Sequence, residues 1–116
     1  MMLFSAGLRA WVCVEPIDMR KSIDALAQLV GPLFNADAFS GQVFVFLGRR
    51  RDKVKLLVWD QSGFWLMYKR LERGHFPRPE ALAARGLSMA ELAAWLEGID
   101  VARVKRLAPV TATRVA

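Results

Sequence analysis

Three consecutive arginines, Arg49, Arg50 and Arg51, are followed at a spacing of two by Lys53 and Lys55. A little further on stand Lys69, Arg70 and Arg73. Guanidinium and ammonium groups at this density have one obvious chemistry, the holding of oxyanions: a guanidinium donates paired N–H bonds to a phosphate, and an ammonium acts as a point charge. Between Arg49 and Arg78 there are nine basic residues against Asp52, Asp60 and Glu72, while the eight basic and eight acidic residues elsewhere cancel. The whole formal charge of +6 therefore sits in this one segment, which points to an anionic partner. Arg20 and Lys21, within Asp18-Met19-Arg20-Lys21, are a secondary candidate contact. Other readings of the same residues stand beside this one. Lysines and arginines also make a solvated face that keeps sheet edges from pairing, and arginines can grip an acidic protein surface as well as a phosphate.

Bond-making chemistry is poorly supplied. Metal-dependent strand transfer needs several carboxylates converging on two cations about 3.5–4 Å apart. Here Asp18 and Asp24 fall on one expected helix, Asp52 and Asp60 at opposite ends of an expected strand, and Glu91 in a helix cap. His75 is the only histidine and has no nucleophile pattern near it. With Cys13 as the only cysteine, the two cannot build a zinc site, and no phosphate-cradling glycine loop appears. The sequence thus leads to a non-enzyme, with no catalytic residue, no metal and no cofactor. Trp59, Trp65 and Tyr68 could stack on bases, although aromatics in strands more often belong to a core.

The elements that must position these residues follow from length and pattern. A chain of 116 residues with 54% hydrophobic and 24% charged residues suits one globular domain, 1–116. A lone thiol in an apolar stretch fits a reducing compartment and a packing role. With no signal-like start and no uncharged run near the ~20 residues that span a bilayer, the expectation is a soluble, cytoplasmic protein with no membrane partner. Leu8 to Val14 reads as a strand ended by Glu15-Pro16. Asp18 is read as the cap of a helix whose stripe is Met19, Ile23, Leu26, Val30 and Leu33, stopped or kinked at Gly31-Pro32. Asn35 to Gly41 reads as loop. The runs QVFVFLG, KVKLLVWD and GFWLMYKRL, joined by Arg49–Asp52 and by Asp60-Gln61-Ser62-Gly63, predict a three-strand antiparallel meander. Both faces of these strands are apolar, which predicts a sheet covered by helices on one side and by a second copy, a homodimer, on the other. Pro79 to Ala84 is a short helical turn ended by Gly86. Ser88-Met89-Ala90-Glu91 is a capping box ahead of Leu92, Trp95, Leu96 and Ile99, with Gly98 as the limit. Residues 101–116 read as a flexible tail. The resulting fold class is α+β: a single domain with a mainly antiparallel sheet, N-terminal strand plus three-strand meander, packed with two main helices.

Three blocks, PIDMRKSIDALAQLV, AFSGQVFVFLGRRRDKVKLLVWDQSGFWLMYKRLERGHF and LSMAELAAWLEGID, carry a family resemblance over about Gly7 to Asp100. Through DMRK, FSG, GRR, WD and KRLERG at these separations, the chain resembles the second-open-reading-frame (Orf2, TnpB-type) protein encoded beside the transposase in insertion sequence 66 elements. Ser22 stands where that family often has glycine, and Val58 where it often has tryptophan. The resemblance implies an accessory role in DNA transposition alongside a separate transposase. It does not supply a mechanism. Two roles stay open: binding of the DNA backbone through a basic hairpin, and assembly of the transposase as a protein adaptor without touching DNA.

Overall fold

A computed structural model describes residues 8–104 of the chain. Its elements in order are β1 (Arg9–Val12), α1 (Ile23–Phe34), β2 (Val43–Leu47), β3 (Lys53–Trp59), β4 (Phe64–Arg70), a 3-10 turn (Glu80–Leu82), β5 (Leu87–Ser88) and α2 (Met89–Leu96). The strands form one sheet of order β4-β3-β2-β1-β5. β2, β3 and β4 are the expected antiparallel meander, while β1 runs parallel to β2 because α1 carries the chain back between them. The α+β class holds.

Alternation along the strands sorts the core into two layers. Val43, Val45 and Leu47 of β2 join Val54, Leu56 and Val58 of β3 on the face covered by Leu92 and Trp95 of α2, with Phe76 stacked on Trp95 at a centroid distance of 5.2 Å. Phe44, Phe46 and Leu57 occupy the other face under Leu26 and Val30 of α1. Each of these wholly buried side chains contributes about 1.5–3 kcal/mol before entropy is subtracted, so an apolar residue at nearly every position of β2 is what a sheet covered on both sides requires. The expectation of helices on one face and a second copy on the other is corrected: each face has its own helix.

The first helix departs from its expected limits at both ends. It begins after Ser22, whose side chain makes no capping bond, while Asp18 belongs to a separate turn. Pro32 does not stop it. The helix runs on to Phe34 and closes on Asn35 in the left-handed region, whose N–H bonds to the Gly31 carbonyl. A proline so near the end removes a single helical hydrogen bond, and only two residues of the helix follow it.

The second helix starts as expected, with Ser88 Oγ accepting from Glu91 N and the Glu91 carboxylate accepting from Ser88 N. Unforeseen is β5, whose Leu87 and Ser88 pair with Ala10 and Arg9. Gly86 permits this pairing. It has a φ of +68°, and a Cβ there would lie 2.9 Å from the Ala10 carbonyl oxygen and 3.0 Å from the Trp11 ring. Of the expected tail, Val101 is buried in the core, and residues 105–116 lie outside the described residues.

Candidate nucleic-acid interface

Because β1 and β2 are parallel, both end where β3 begins, where β4 ends and where α1 starts. Three loops far apart in sequence thus meet at one end of the sheet: the Ile17–Ser22 lead-in to α1, the 48–52 hairpin loop, and the 71–78 segment after β4.

The hairpin loop is held rigidly. Arg51 N–H donates to the Gly48 carbonyl at 2.9 Å and Gly48 N–H to the Lys53 carbonyl at 3.0 Å, so Arg49 and Arg50 occupy the tip of a tight turn. Arg51 takes the left-handed conformation, φ 57°, that commonly follows such a turn in a hairpin. The 71–76 segment is laced to it. Leu71 N–H donates to Asp52 O, Phe76 N–H to Arg51 O, and the Arg51 guanidinium to Phe76 O at 2.9 Å. His75 Nδ1 lies 2.6 Å from the Arg50 carbonyl oxygen, close enough to bond when that nitrogen bears the proton.

The lead-in to α1 packs on the other side of this loop. Ile17 N–H donates to the Leu47 carbonyl, extending β1's alignment along β2, and Met19 lies directly over Gly48. Asp18 folds the turn around itself. Its carboxylate accepts from the backbone N–H of Arg20 and, through both oxygens, from the Arg20 guanidinium at 2.7–3.1 Å. Those bonds hold the Asp18 carboxyl well below the usual carboxylate range and raise Arg20 further above its ordinary value. The Arg20 side chain is 92% exposed, its guanidinium oriented by Asp18. The motifs DMRK and GRR, far apart in sequence, therefore form one surface.

The structure separates the candidate cations. Arg49, Arg50 and Arg73 are exposed and make no ion pair among the described residues, and Lys21 is likewise exposed and unpaired. Lys53 is half-buried beside Asp52 at 3.5 Å, and Arg70 forms a two-bond pair with Glu72 that raises its pKa. Arg51, as above, is a structural clamp.

Two lysines are engaged elsewhere in the fold. Lys55 is only 9% exposed and donates to the Lys21 carbonyl at 2.7 Å, with its ammonium over the Tyr68 ring. It shares a strand face with Lys53, but the lead-in to α1 covers that part of the face. Lys69 points to the opposite face from Arg70, as consecutive strand residues must, and donates to Leu96 O at 2.9 Å and to Glu97 at 3.3 Å. There it places a positive charge on the carbonyl end of α2. Trp65 and Tyr68 are exposed, at 39% and 54%, on opposite faces of β4.

Two clefts flank the hairpin tip. One, of about 310 Å³, lies between Arg20, Arg49, Arg50 and Lys53. The other, of about 260 Å³, lies between Arg49, Arg50, Arg51, His75 and Arg78. Arg78 was not among the expected site residues because it follows the last strand pattern. The signal available was its membership in the charge excess, and the clamp between Arg51 and Phe76 brings its segment back to the hairpin. Among the described residues no group of three or more His, Cys, Asp or Glu is placed to hold a metal ion. No helix among them is long and apolar enough to cross a membrane.

The fold and this surface define a small α+β protein with a cationic end. More particularly, the chain belongs to the family described as IS66 Orf2 like protein, which matches residues 8–106. It is similar to the uncharacterized protein y4jC of Sinorhizobium fredii (strain NBRC 101917 / NGR234), 38% identical over 113 residues and covering 97% of each chain. It is also similar to the uncharacterized protein y4hO of the same strain, 36% identical over 95 residues, covering 81% of this chain and 83% of that one. No solved structure matches it. Family membership implies an accessory role in transposition.

Proposed function

We propose that this chain serves transposition as a non-catalytic accessory that grips the DNA backbone with the cationic end of its sheet. Arg49 and Arg50 at the hairpin tip are the principal contacts, with Arg20 and Lys21 on one flank and Arg73 and Arg78 on the other. The observation that carries this reading is the meeting of the DMRK turn and the hairpin loop around Arg49 and Arg50, which make no ion pair among the described residues, with Arg20 held by Asp18 beside them. The loop backbone is already fixed by its hydrogen bonds, and contacts made to phosphate carry no sequence information, so binding is salt-sensitive and largely indifferent to sequence. The start of α1 points to the same end, and its free amides add to the positive potential. Fluorescence anisotropy on a labelled duplex tests it: wild type binds at low salt, and Arg49→Glu with Arg50→Glu abolishes binding while circular dichroism stays unchanged. Absence of wild-type binding at low salt rejects the reading.

A different feature favours the adaptor role. Trp11, Val14, Leu33, Phe34, Ala83 and Ala84 line a groove of about 490 Å³ beside the continuation of β1 past its pairing with β5, a mainly apolar surface suited to a protein segment. Copurification with the element's transposase, lost on Val14→Arg and kept in the arginine variant, would support that role independently. One protein can hold both.

A further inference from the structure

β4 is the outer strand of the sheet, and its free edge has a definite chemical character. The bonds Leu71 N–H to Asp52 O and Asp60 N–H to Gly63 O fix which residues of β4 are turned toward β3. Odd-numbered residues 65, 67 and 69 spend their main-chain groups on β3, so the N–H and C=O of Phe64, Leu66, Tyr68 and Arg70 point outward. Among the described residues nothing bonds to them. Sheet edges are ordinarily blunted by brevity, proline, bulges or inward-pointing charge. This one has seven paired residues, no proline and no bulge, and its charges come only at the last two positions. Trp65 and Tyr68 are exposed along it, and Phe39, itself 57% exposed, packs on Phe64 at the strand's start. The opposite edge, β5, is two residues long.

We propose that two copies of this chain pair antiparallel through β4, joining their sheets into one ten-stranded sheet with a two-fold axis at Met67. The edge is complementary to itself in this register. Phe64, Leu66, Tyr68 and Arg70 meet Arg70, Tyr68, Leu66 and Phe64 of the second copy, and all four outward-facing residues exchange bonds, about eight main-chain hydrogen bonds in all. Trp65 falls opposite Lys69, Phe64 opposite Arg70, and no charge faces a like charge. Cross-strand pairs of an aromatic ring with a cation or an aliphatic side chain are favourable in this geometry. A second copy is favoured over an unrelated peptide because the strand supplies its own complement along its whole length. The two cationic ends then face in opposite directions, a consequence that rests on the DNA reading, whereas the pairing itself does not.

The test is the mass of the full chain in solution, followed by placed cysteines. Light scattering of wild type should give twice the 13.0 kDa chain mass. A single-chain mass at high micromolar concentration overturns the proposal and leaves the edge to another partner. In a Cys13→Ser background, Met67→Cys should form a disulfide-linked dimer on mild oxidation, because facing Cα atoms at a non-hydrogen-bonded pair are about 4.5 Å apart. Leu66→Cys should not, since the two copies of residue 66 are offset diagonally by about 8 Å, beyond disulfide reach. The reverse pattern rejects the register. Tyr68→Pro removes an outward N–H that β3 does not use, so it should yield a folded monomer. Should that variant unfold, the cysteine pair still decides, and DNA binding measured separately reports on the cationic end alone.

Discussion

Met19 rests on Gly48 so closely that a Cβ at residue 48 would stand 2.9 Å from Met19 Cγ. This contact is where the DMRK turn and the arginine hairpin are fitted together, and the absence of a side chain on Gly48 is its condition. Gly48→Ala should therefore cost stability by overpacking, about 1–3 kcal/mol in chemical denaturation. Because the strain is between two named side chains, Met19→Ala in the same chain should recover part of the loss. A double-mutant cycle that proves additive would mean the two motifs are not coupled.

Lys55 and the hairpin arginines should respond in opposite ways to replacement. Lys55→Met removes the donor to the Lys21 carbonyl, leaving a half-buried acceptor without its partner, and a penalty of about 1–3 kcal/mol follows. The Arg49 side chain is exposed and makes no hydrogen bond or ion pair among the described residues, so Arg49→Ala should leave the unfolding midpoint unchanged. Thermal melts of the two variants side by side check this. A Lys55→Met protein as stable as wild type would put Lys55 back among the surface cations.

Salt dependence of DNA binding should distinguish cations that meet phosphate from those engaged at home. Removing one cation that neutralises a phosphate should reduce the slope of log K against log salt by about 1. That reduction is expected for Arg49→Ala and Arg50→Ala. It is not expected for Lys69→Met, whose ammonium is held on the end of α2 by Leu96 O and Glu97. Titrations of each variant from low to moderate potassium chloride give the slopes directly, and an undiminished slope for both arginine variants would remove the hairpin tip from the interface.

What the sequence revealed and what it hid follows from the range of each signal. The meander was legible because apolar runs and turn residues are local, and so was the capping box, written in Ser88 and Glu91 alone. The family resemblance, read in DMRK, GRR and KRLERG, was legible too. β5 was not: two residues carry no pattern, and only the approach of Ala10 to Gly86 makes them a strand. Asp18 looked like a helix cap because caps and tight turns use the same acceptor, and the choice between them was made by Arg20, two residues on. In the site, spacing correctly put Lys53 and Lys55 on one face. It could not say that the lead-in to α1 covers Lys55, nor that α2 ends beside Lys69. Arg78 joined the site through hydrogen bonds between Arg51 and Phe76, a relation 25 residues long with no local trace.

The Asp18–Arg20 pair also makes a prediction in pH. The Asp18 carboxyl is held below its ordinary value of 3.8, chiefly by the Arg20 guanidinium and then by the Arg20 backbone N–H. A carboxyl whose pKa is depressed by folding stabilises the folded state above its ordinary pKa, and that contribution is lost as pH falls below this value toward the folded one. Followed by carbon NMR, Asp18 should thus titrate below 3.8 in wild type and return toward it in Arg20→Met. Asp60 supplies the control. Its carboxyl is also lowered, but first by the indole N–H of Trp65, at the far end of the sheet, so Arg20→Met should leave it unmoved while Trp65→Phe raises it. An Asp18 that titrates at the ordinary value in wild type would mean that the guanidinium of Arg20 is not anchored in solution, and the DMRK turn would then offer the DNA a mobile cation where the structure shows a fixed one.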